Sequence, residues 1–321
     1  MKLTDIRTLT AQLTPELAHR DPALYNSMLR SLGYEPGNLY QELEMESKYV
    51  DTHQDTSWNN ANVSLHSHTF YELLYCRSSC DVEYLVGSDR YRLQKGDVIL
   101  VPPGVSHRPI LPETMDQPYM RDVLWINPEF VNSLSQTFPG NPVSDQDRRS
   151  PMRTAGTRWE SIGKLFRNGV REAENQAPGW ELAVIGNTMQ LLTQIKRATD
   201  DQNARMLKAE QPELLDRITS YVEEHYTGSV TIGDLAKCFF VSPSTISHLF
   251  QQRLGVSFHR YVTQRRLIDA KNRIVKGQRL EEVAGQTGFS DYSSFYRAFR
   301  QQFGISPRQY RLLQEKDAKN G

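Results

Sequence analysis

The stretch that decides the fold runs from Ala284 to Arg311, AGQTGFSDYSSFYRAFRQQFGISPRQYR. It predicts a short helix, a tight turn, a second helix and a stop. Gly288, having no Cβ, breaks the first helix where the chain must turn. Asp291 stands at an N-cap, where its carboxylate can accept from the open backbone N–H groups that follow. Phe295 and Phe299, four apart, give the second helix an apolar stripe, with Ala298 and Phe303 close beside it. Gly304 closes that helix and Pro307 opens another. Tyr292, Ser293, Tyr296 and Arg297 are left on the side that cannot be core. A capped helix with a basic, hydrogen-bonding outer face behind a tight turn suits the reading of a DNA major groove.

The pattern occurs twice. Phe250-Gln-Gln-Arg-Leu-Gly255-Val-Ser257 precedes Phe299-Arg-Gln-Gln-Phe-Gly304-Ile-Ser306. Ala236, Phe250, Gly255, Ser257 and Tyr261 recur as Ala284, Phe299, Gly304, Ser306 and Tyr310. The offset is constant from the phenylalanine onward and one shorter at the alanine, so the second turn carries one extra residue. Two unrelated helical hairpins would not keep matched spacing over that length. In the first unit, Thr231 with Asp234 resembles a capping box, and Ser242-Pro243 is a cap followed by proline at the first helical position. Ile246, Leu249 and Phe250 face its core. Ser244, Ser247, His248 and Gln251 remain outside, within reach of base edges. One long helix from Phe258 to Lys276 spans the gap, about 28 Å at about 1.5 Å per residue. Its cations, Arg265, Arg266, Lys271 and Arg273, suit phosphate contact or a plain solvated face.

On these residues the chain from about Pro212 to Arg311 resembles the DNA-binding domain of the AraC/XylS family of bacterial transcription regulators. That domain has two helix-turn-helix units joined by one long helix. The run from Gly288 to Arg311 carries the family's most specific signature, and the match is close to complete. The resemblance implies that Ser244, Ser247 and His248 read bases. His248 departs from the arginine frequent there, and since serines and a histidine make few bidentate contacts, weak reading by the first unit is expected.

With 321 residues and 38% hydrophobic content, two or three domains are expected. The formal net charge is zero, but it divides. Residues 212 to 311 hold 14 Lys+Arg against 9 Asp+Glu, and residues 1 to 211 hold 22 against 27. A basic module on an acidic remainder is the asymmetry expected when one end meets phosphate. Cys76, Cys80 and Cys238 form no CxxC and no disulfide framework, which suits reduced thiols in a cytosolic protein. The N-terminus lacks the apolar core of a signal peptide, and no apolar run approaches the roughly 20 residues of a membrane span. The expectation is a cytoplasmic protein with no membrane partner.

Residues 1 to 48 predict short helices, with Leu13, Leu17, Leu24, Met28 and Leu32 at helical spacing. From 49 to 126 the period changes to two, as in His68-Thr-Phe70-Tyr-Glu72-Leu-Leu74-Tyr-Cys76 and Val82-Glu-Tyr84-Leu-Val86. Many short strands broken by turn residues argue a β-sandwich or barrel. Within it, His66-x-His68-x3-Glu72 is followed by Gly96-x5-Pro102-x-Gly104-x2-His107. These runs resemble the two motifs of the cupin family, a small double-stranded β-helix barrel. The second motif has Leu111 where an asparagine usually closes it, and the first has Ser79 at its closing glycine. The resemblance implies that His66, His68, Glu72 and His107 converge inside the barrel, holding a divalent metal or hydrogen-bonding a small polar effector. Imidazole nitrogens with a carboxylate suit Fe, Mn, Ni or Zn. Tyr71 and Tyr75 fall on the opposite face as packing residues. Arg108 has two readings, an anionic-ligand contact or a surface arginine.

From 127 to 197 the pattern turns helical. Trp159, Ile162, Leu165 and Phe166 make one stripe, and Leu182, Ile185, Met189, Leu192 and Ile195 another. They suit a helical pair that dimerises or covers the barrel. Residues 198 to 211 are polar and read as a linker, before the DNA-binding domain of 212 to 313. The fold expected is multidomain α+β: a cupin-like β-barrel with a helical element, then an all-α double helix-turn-helix domain. The function expected is that of a DNA-binding transcription regulator, an activator and not an enzyme. A small-molecule effector would control it, with promoter DNA, RNA polymerase and a second copy of the chain as partners. The rival is a metal-dependent cupin enzyme fused to a DNA-targeting domain; no second acid, base or nucleophile constellation accompanies the motif.

Overall fold

The computed structural model describes residues 9, 12–32, 34, 43–58, 65–78, 82–87, 89–112, 115–138, 151–201, 205–206 and 213–320, with side chains to 313 except those of 205 and 206. Ser79 and Cys80 lie outside the described residues. Two helices come first, α1 (Pro15–Arg20) and α2 (Pro22–Ser31), each with proline in its first turn. The stripe expected of residues 13 to 32 needs correction. Leu24 and Leu32 are exposed, while Tyr25 and Leu29 pack with Leu9, Leu13 and Ala18. Asp21, non-helical and accepting from the Leu24 amide, separates the two helices, so one helical period cannot run through both.

The strands are β1 (Val50–Ser57), β2 (Tyr71–Cys76), β3 (Val82–Val86), β4 (Asp89–Leu93), β5 (Asp97–Val101), β6 (His107–Ile110), β7 (Tyr119–Ile126), β8 (Met152–Arg153) and β9 (Arg205–Met206). They build a larger sheet in the order β1-β7-β2-β5-β8-β9 and a smaller one in the order β4-β3-β6, antiparallel throughout. Leu74, Val82, Tyr84, Leu93, Val101, Val123 and Trp125 form the core between them. Alternate residues of β2 point the other way, and Tyr71, Leu73 and Tyr75 are covered by α4 (Ser161–Asn175) and α5 (Trp180–Asp200). This double cover is why β2 is buried along its whole length. It is close enough that a Cβ on Gly163 would stand 2.3 Å from the Tyr75 hydroxyl.

A short helix, α3 (Pro128–Thr137), leads from β7 toward this layer. On α4, Ile162 and Phe166 are buried as expected. On α5 the register shifts: Leu182 is 74% exposed, and Val184, Thr188, Leu191, Leu192, Ile195 and Ala198 are buried. The polar Thr188 hides the seam from a purely apolar reading, because its hydroxyl bonds the Val184 carbonyl at 2.8 Å. The linker expected over 198–211 also needs correction, since α5 runs through Asp200 and Arg205–Met206 pairs with β8.

The C-terminal half is helical: α6 (Leu214–His225), α7 (Ile232–Cys238), α8 (Pro243–Leu249), a π-helical turn (Phe250–Leu254), α9 (Phe258–Val275), α10 (Leu280–Gln286), α11 (Tyr292–Phe303) and α12 (Pro307–Asn320). Ser242 caps α8 through the Thr245 amide, and Asp291 caps α11 through the Ser294 amide. On α6, Leu215, Asp216, Ile218, Thr219 and Val222 are buried. Phe295, Phe299 and Phe303 close the second unit's core against Leu267, Ala270 and Val283. The first unit's core is larger. Leu215, Ile218, Phe250, Leu254 and Tyr261 share one cluster with Leu65, Leu85 and Ile110 of the barrel. Among the described residues no helix is long and apolar enough to cross a membrane.

Candidate functional site

Three segments bring the barrel donors together. Residues 65–70 lead into β2 and carry His68, β2 carries Glu72, and β6 begins with His107. One ligand atom from each lies within 4.8 Å of the others, and all three residues are buried. The His107 Nε2 stands 3.1 Å from Glu72 Oε2, and the His68 Nε2 stands 3.6 Å from it. The other ring nitrogens are engaged by backbone. His68 Nδ1 lies 2.8 Å from the Phe70 carbonyl, and His107 Nδ1 lies 3.0 Å from that of Val105. A carbonyl only accepts, so each Nδ1 carries the proton. In the neutral tautomer both Nε2 atoms then turn lone pairs toward a carboxylate that also only accepts. Among the described residues neither Nε2 has a hydrogen-bond partner of acceptable geometry, despite the short distances to Glu72. An electron-rich centre of this kind calls for a proton donor or a cation.

The charge states agree with that reading. Burial pushes the Glu72 carboxyl up, but the two histidines beside it, His107 and His68, outweigh burial and hold it well below the usual range. Burial lowers His68, with the Glu72 carboxylate opposing. Trp125 Nε1 donates to Glu72 Oε1 at 2.9 Å and fixes the carboxylate plane. Burial, and then the Glu72 charge, raises the Tyr84 hydroxyl well above its ordinary value. The donor set fits a divalent metal: two imidazoles and a carboxylate, with tautomers fixed from behind. His66 is placed differently. It pairs with His107 through backbone, their rings 4.2 Å apart, and its side chain lines the cavity beside the three donors.

That cavity has about 320 Å3 of open space, solvent at its mouth included, and His53, Asp55, Glu72, Arg121 and Trp125 line it. Its enclosed space suffices for about one water or ion. Arg121 is paired to Asp55 and donates to the Ser57 hydroxyl at 3.1 Å, both acceptors lying on β1. Sequence reasoning missed this pair and His53. The available signal was the inward alternation of His53, Asp55 and Ser57 against Tyr119, Arg121 and Val123. It was hidden because β1 alternates polar residues, not apolar ones. Arg108 follows neither expected course: it is 1% exposed, faces away from the cavity, and donates to the Leu254 carbonyl at 2.8 Å. Burial pushes its guanidinium down to about 10.

At the other end, Ser244, Ser247, His248 and Gln251 are exposed along the first unit's reading helix. On α11, Tyr292, Ser293 and Arg297 are exposed and Tyr296 is half-buried. Both reading faces stand open while the barrel is docked behind the first unit. The first unit's turn bends at Phe240, whose φ of 55° is left-handed, and the second at Gly288, with φ 86°.

Two family models match this chain. An AraC-like ligand binding domain covers residues 50–192, and a helix-turn-helix domain covers residues 235–312. The chain belongs to the AraC family. Its halves are therefore an AraC-like ligand-binding domain and an AraC-type DNA-binding domain, the build of a transcription regulator. The HTH-type transcriptional activator RhaS of Salmonella newport is 26% identical over 257 residues, spanning 77% of this chain and 86% of RhaS. The probable transcriptional regulator LumQ of Photobacterium leiognathi is 34% identical over 130 residues, 40% of this chain and 50% of LumQ, so that match spans half of the relative. The crystal structure of ToxT from Vibrio cholerae O395 aligns over 83% of this chain and 98% of ToxT, at 15% identity and a TM-score of 0.34.

Proposed function

We propose that this AraC-family regulator responds to a small polar effector or a divalent cation in the barrel, and that it activates transcription. The observation that carries the reading is the electron-rich centre of His68, Glu72 and His107 inside a domain packed against the first helix-turn-helix unit. His68, Glu72 and His107 hold the cation or the effector's donor groups, and His66 forms the adjoining wall. A bound cation supplies positive charge and open coordination positions to an effector oxygen. Asp55 and Arg121 orient polar groups deeper in the cavity, and Trp125 holds Glu72 in place. The activating output follows RhaS, an HTH-type transcriptional activator, with RNA polymerase as the partner an activator requires. The protein acts in the cytoplasm, where promoter DNA is, and not as an enzyme. It works as a homodimer through the outer face of α5, where Leu182 is exposed.

On DNA, Ser244, Ser247, His248 and Gln251 read one groove segment, and Tyr292, Ser293, Tyr296 and Arg297 read the next. The 18-residue α9 holds the two units apart, and recognition helices held so enter segments roughly 10 base pairs apart. The test screens metabolites and divalent ions for a rise in the melting temperature of the full chain. Hits are then assayed for ligand-dependent binding to duplexes selected from a random pool. A ligand that stabilises the protein without changing DNA binding refutes effector control, and turnover of that ligand moves the reading to the enzyme.

A further inference from the structure

The smaller sheet carries the barrel's contacts with the DNA-binding half. Arg90 on β4 forks onto Asp216 of α6, Nε to Oδ1 and Nη2 to Oδ2 both at 3.0 Å. The same guanidinium reaches Glu83 of β3 at 2.7 Å and Glu213 at 3.3 Å. Arg253, in the π-helical turn that ends the first reading segment, meets Glu83 at 2.6 Å and Glu213 at 3.4 Å. Arg90, Glu83, Arg253 and Glu213 thus form a closed ring of alternating charge, two members from each half of the chain. Ser106 adds a hydrogen bond to Glu223 at 3.2 Å.

Strand β6 lies in this sheet, paired with β3 through Val86–His107 and Leu85–Arg108. Neighbours on a strand point to opposite faces. His107 turns into the barrel toward Glu72, and Arg108 turns out to the Leu254 carbonyl. Opposing this closure, Tyr261 Oη and both amide atoms of Gln264 on α9 are buried with no hydrogen bond among the described residues. Tyr261 belongs to the cluster shared by both halves, and water entering an opened seam would satisfy such groups. A contact with strong ionic closure and unsatisfied polar atoms is poised to change state.

We propose that the β4-β3-β6 face is a docking platform for the first helix-turn-helix unit, and that β6 relays the state of the barrel site to it, with His107 as input and Arg108 as output. This rests on the reading that His68, Glu72 and His107 bind a ligand. A ligand bridging them ties β6 to β2, fixes the small sheet on the large one and holds the first unit docked. The second unit, whose core contains no barrel residue among the described residues, does not respond directly.

The test uses the full-length protein with Zn2+ alone as the probe. Calorimetry reads zinc binding, and hydrogen exchange with mass spectrometry reads amides at 214–225 and 250–258, with 292–303 as the control. Zinc is expected to bind and to slow exchange in the first two segments at least about threefold relative to the control. A Glu83→Gln, Arg90→Gln double variant is expected to exchange about tenfold faster there with or without zinc, and by reciprocity to bind zinc more weakly. Zinc binding with unchanged seam exchange overturns the relay and leaves the site reading standing. Absence of zinc binding overturns the cation reading of the site and the zinc-driven relay built on it. Seam amides as slow in the double variant as in the natural protein overturn the docking platform. Arg253→Gln, at a half-buried position, gives the same readout should the double variant not fold.

Discussion

Phe240 and Gly288 hold the same left-handed backbone at equivalent places in the two helix-turn-helix units, but only Gly288 is hemmed in. A Cβ on Gly288 would stand 2.6 Å from the Tyr226 carbonyl oxygen and 2.8 Å from that of Thr227. Phe240 is 94% exposed, so its side chain meets solvent and only the backbone is strained. Gly288→Ala is expected to destabilise the second unit by more than about 1 kcal/mol, from strain and clash together. Phe240→Asn should stabilise the first by up to about 1 kcal/mol, since Asn tolerates this conformation. Denaturant unfolding of the full chain measures both, and equal effects of opposite expectation would refute the asymmetry.

Arg297 projects from α11 opposite Phe295 and Phe299. Arg297→Ala is expected to cost about 1–3 kcal/mol of specific DNA affinity if the guanidinium reads a base. If it holds phosphate instead, all sequences weaken alike and the log K against log salt slope shallows by about 1. Titrations of a selected duplex and a scrambled one at several salt concentrations separate the two, and unchanged binding to both sinks the assignment.

Removing the charge at the barrel centre should remove its attraction for cations. Glu72→Gln keeps the shape and an acceptor for Trp125, and is expected to weaken zinc binding at least about tenfold. A chelator should then lower the melting temperature of zinc-treated natural protein and leave the variant unmoved. Equal zinc affinity of both proteins would place the ion elsewhere.

Acid should act on α11 through its cap. Hydrogen bonds from the Ser294 amide and from the Ser294 and Ser290 hydroxyls hold the Asp291 carboxyl below the usual carboxylate range. The folded form therefore binds its proton later than the unfolded one, and stability rises with pH across that interval. The cap's contribution is complete above an ordinary aspartate value of about 3.9 and is lost as pH falls through the lower folded value. Asp291→Asn keeps an acceptor without a titrating charge. Exchange at 292–303 followed from pH 6 down to about 2.5 should steepen in the natural protein only.

What could be read from the chain depended on whether one residue's chemistry served one neighbour. Asp291, Ser242 and Gly288 act within a turn of helix, so their roles follow from local sequence. Phe295 and Phe299 repeat at helical spacing for one core. Glu72 and His107 carry a recognisable spacing and meet across two strands. The α5 register was obscured because Thr188 is buried by bonding its own helix. The Asp55–Arg121 pair joins strands far apart in sequence, and nothing local in either strand names its partner. Arg108 was misjudged for the same reason: its acceptor is a backbone carbonyl 146 residues away.

The ring of Arg90, Glu83, Arg253 and Glu213 also bears on how such regulators can be recombined. A chimaera joining residues 213–313 to a foreign barrel would carry Glu213, Asp216 and Arg253 without the partners that neutralise them. It would press those groups against a surface shaped for other charges, and half-buried charges left unmatched are costly. Biosensor designs that swap the sensing half should therefore move the small sheet's outer face, from Val82 to Ile110, together with the DNA-binding half it was built to meet.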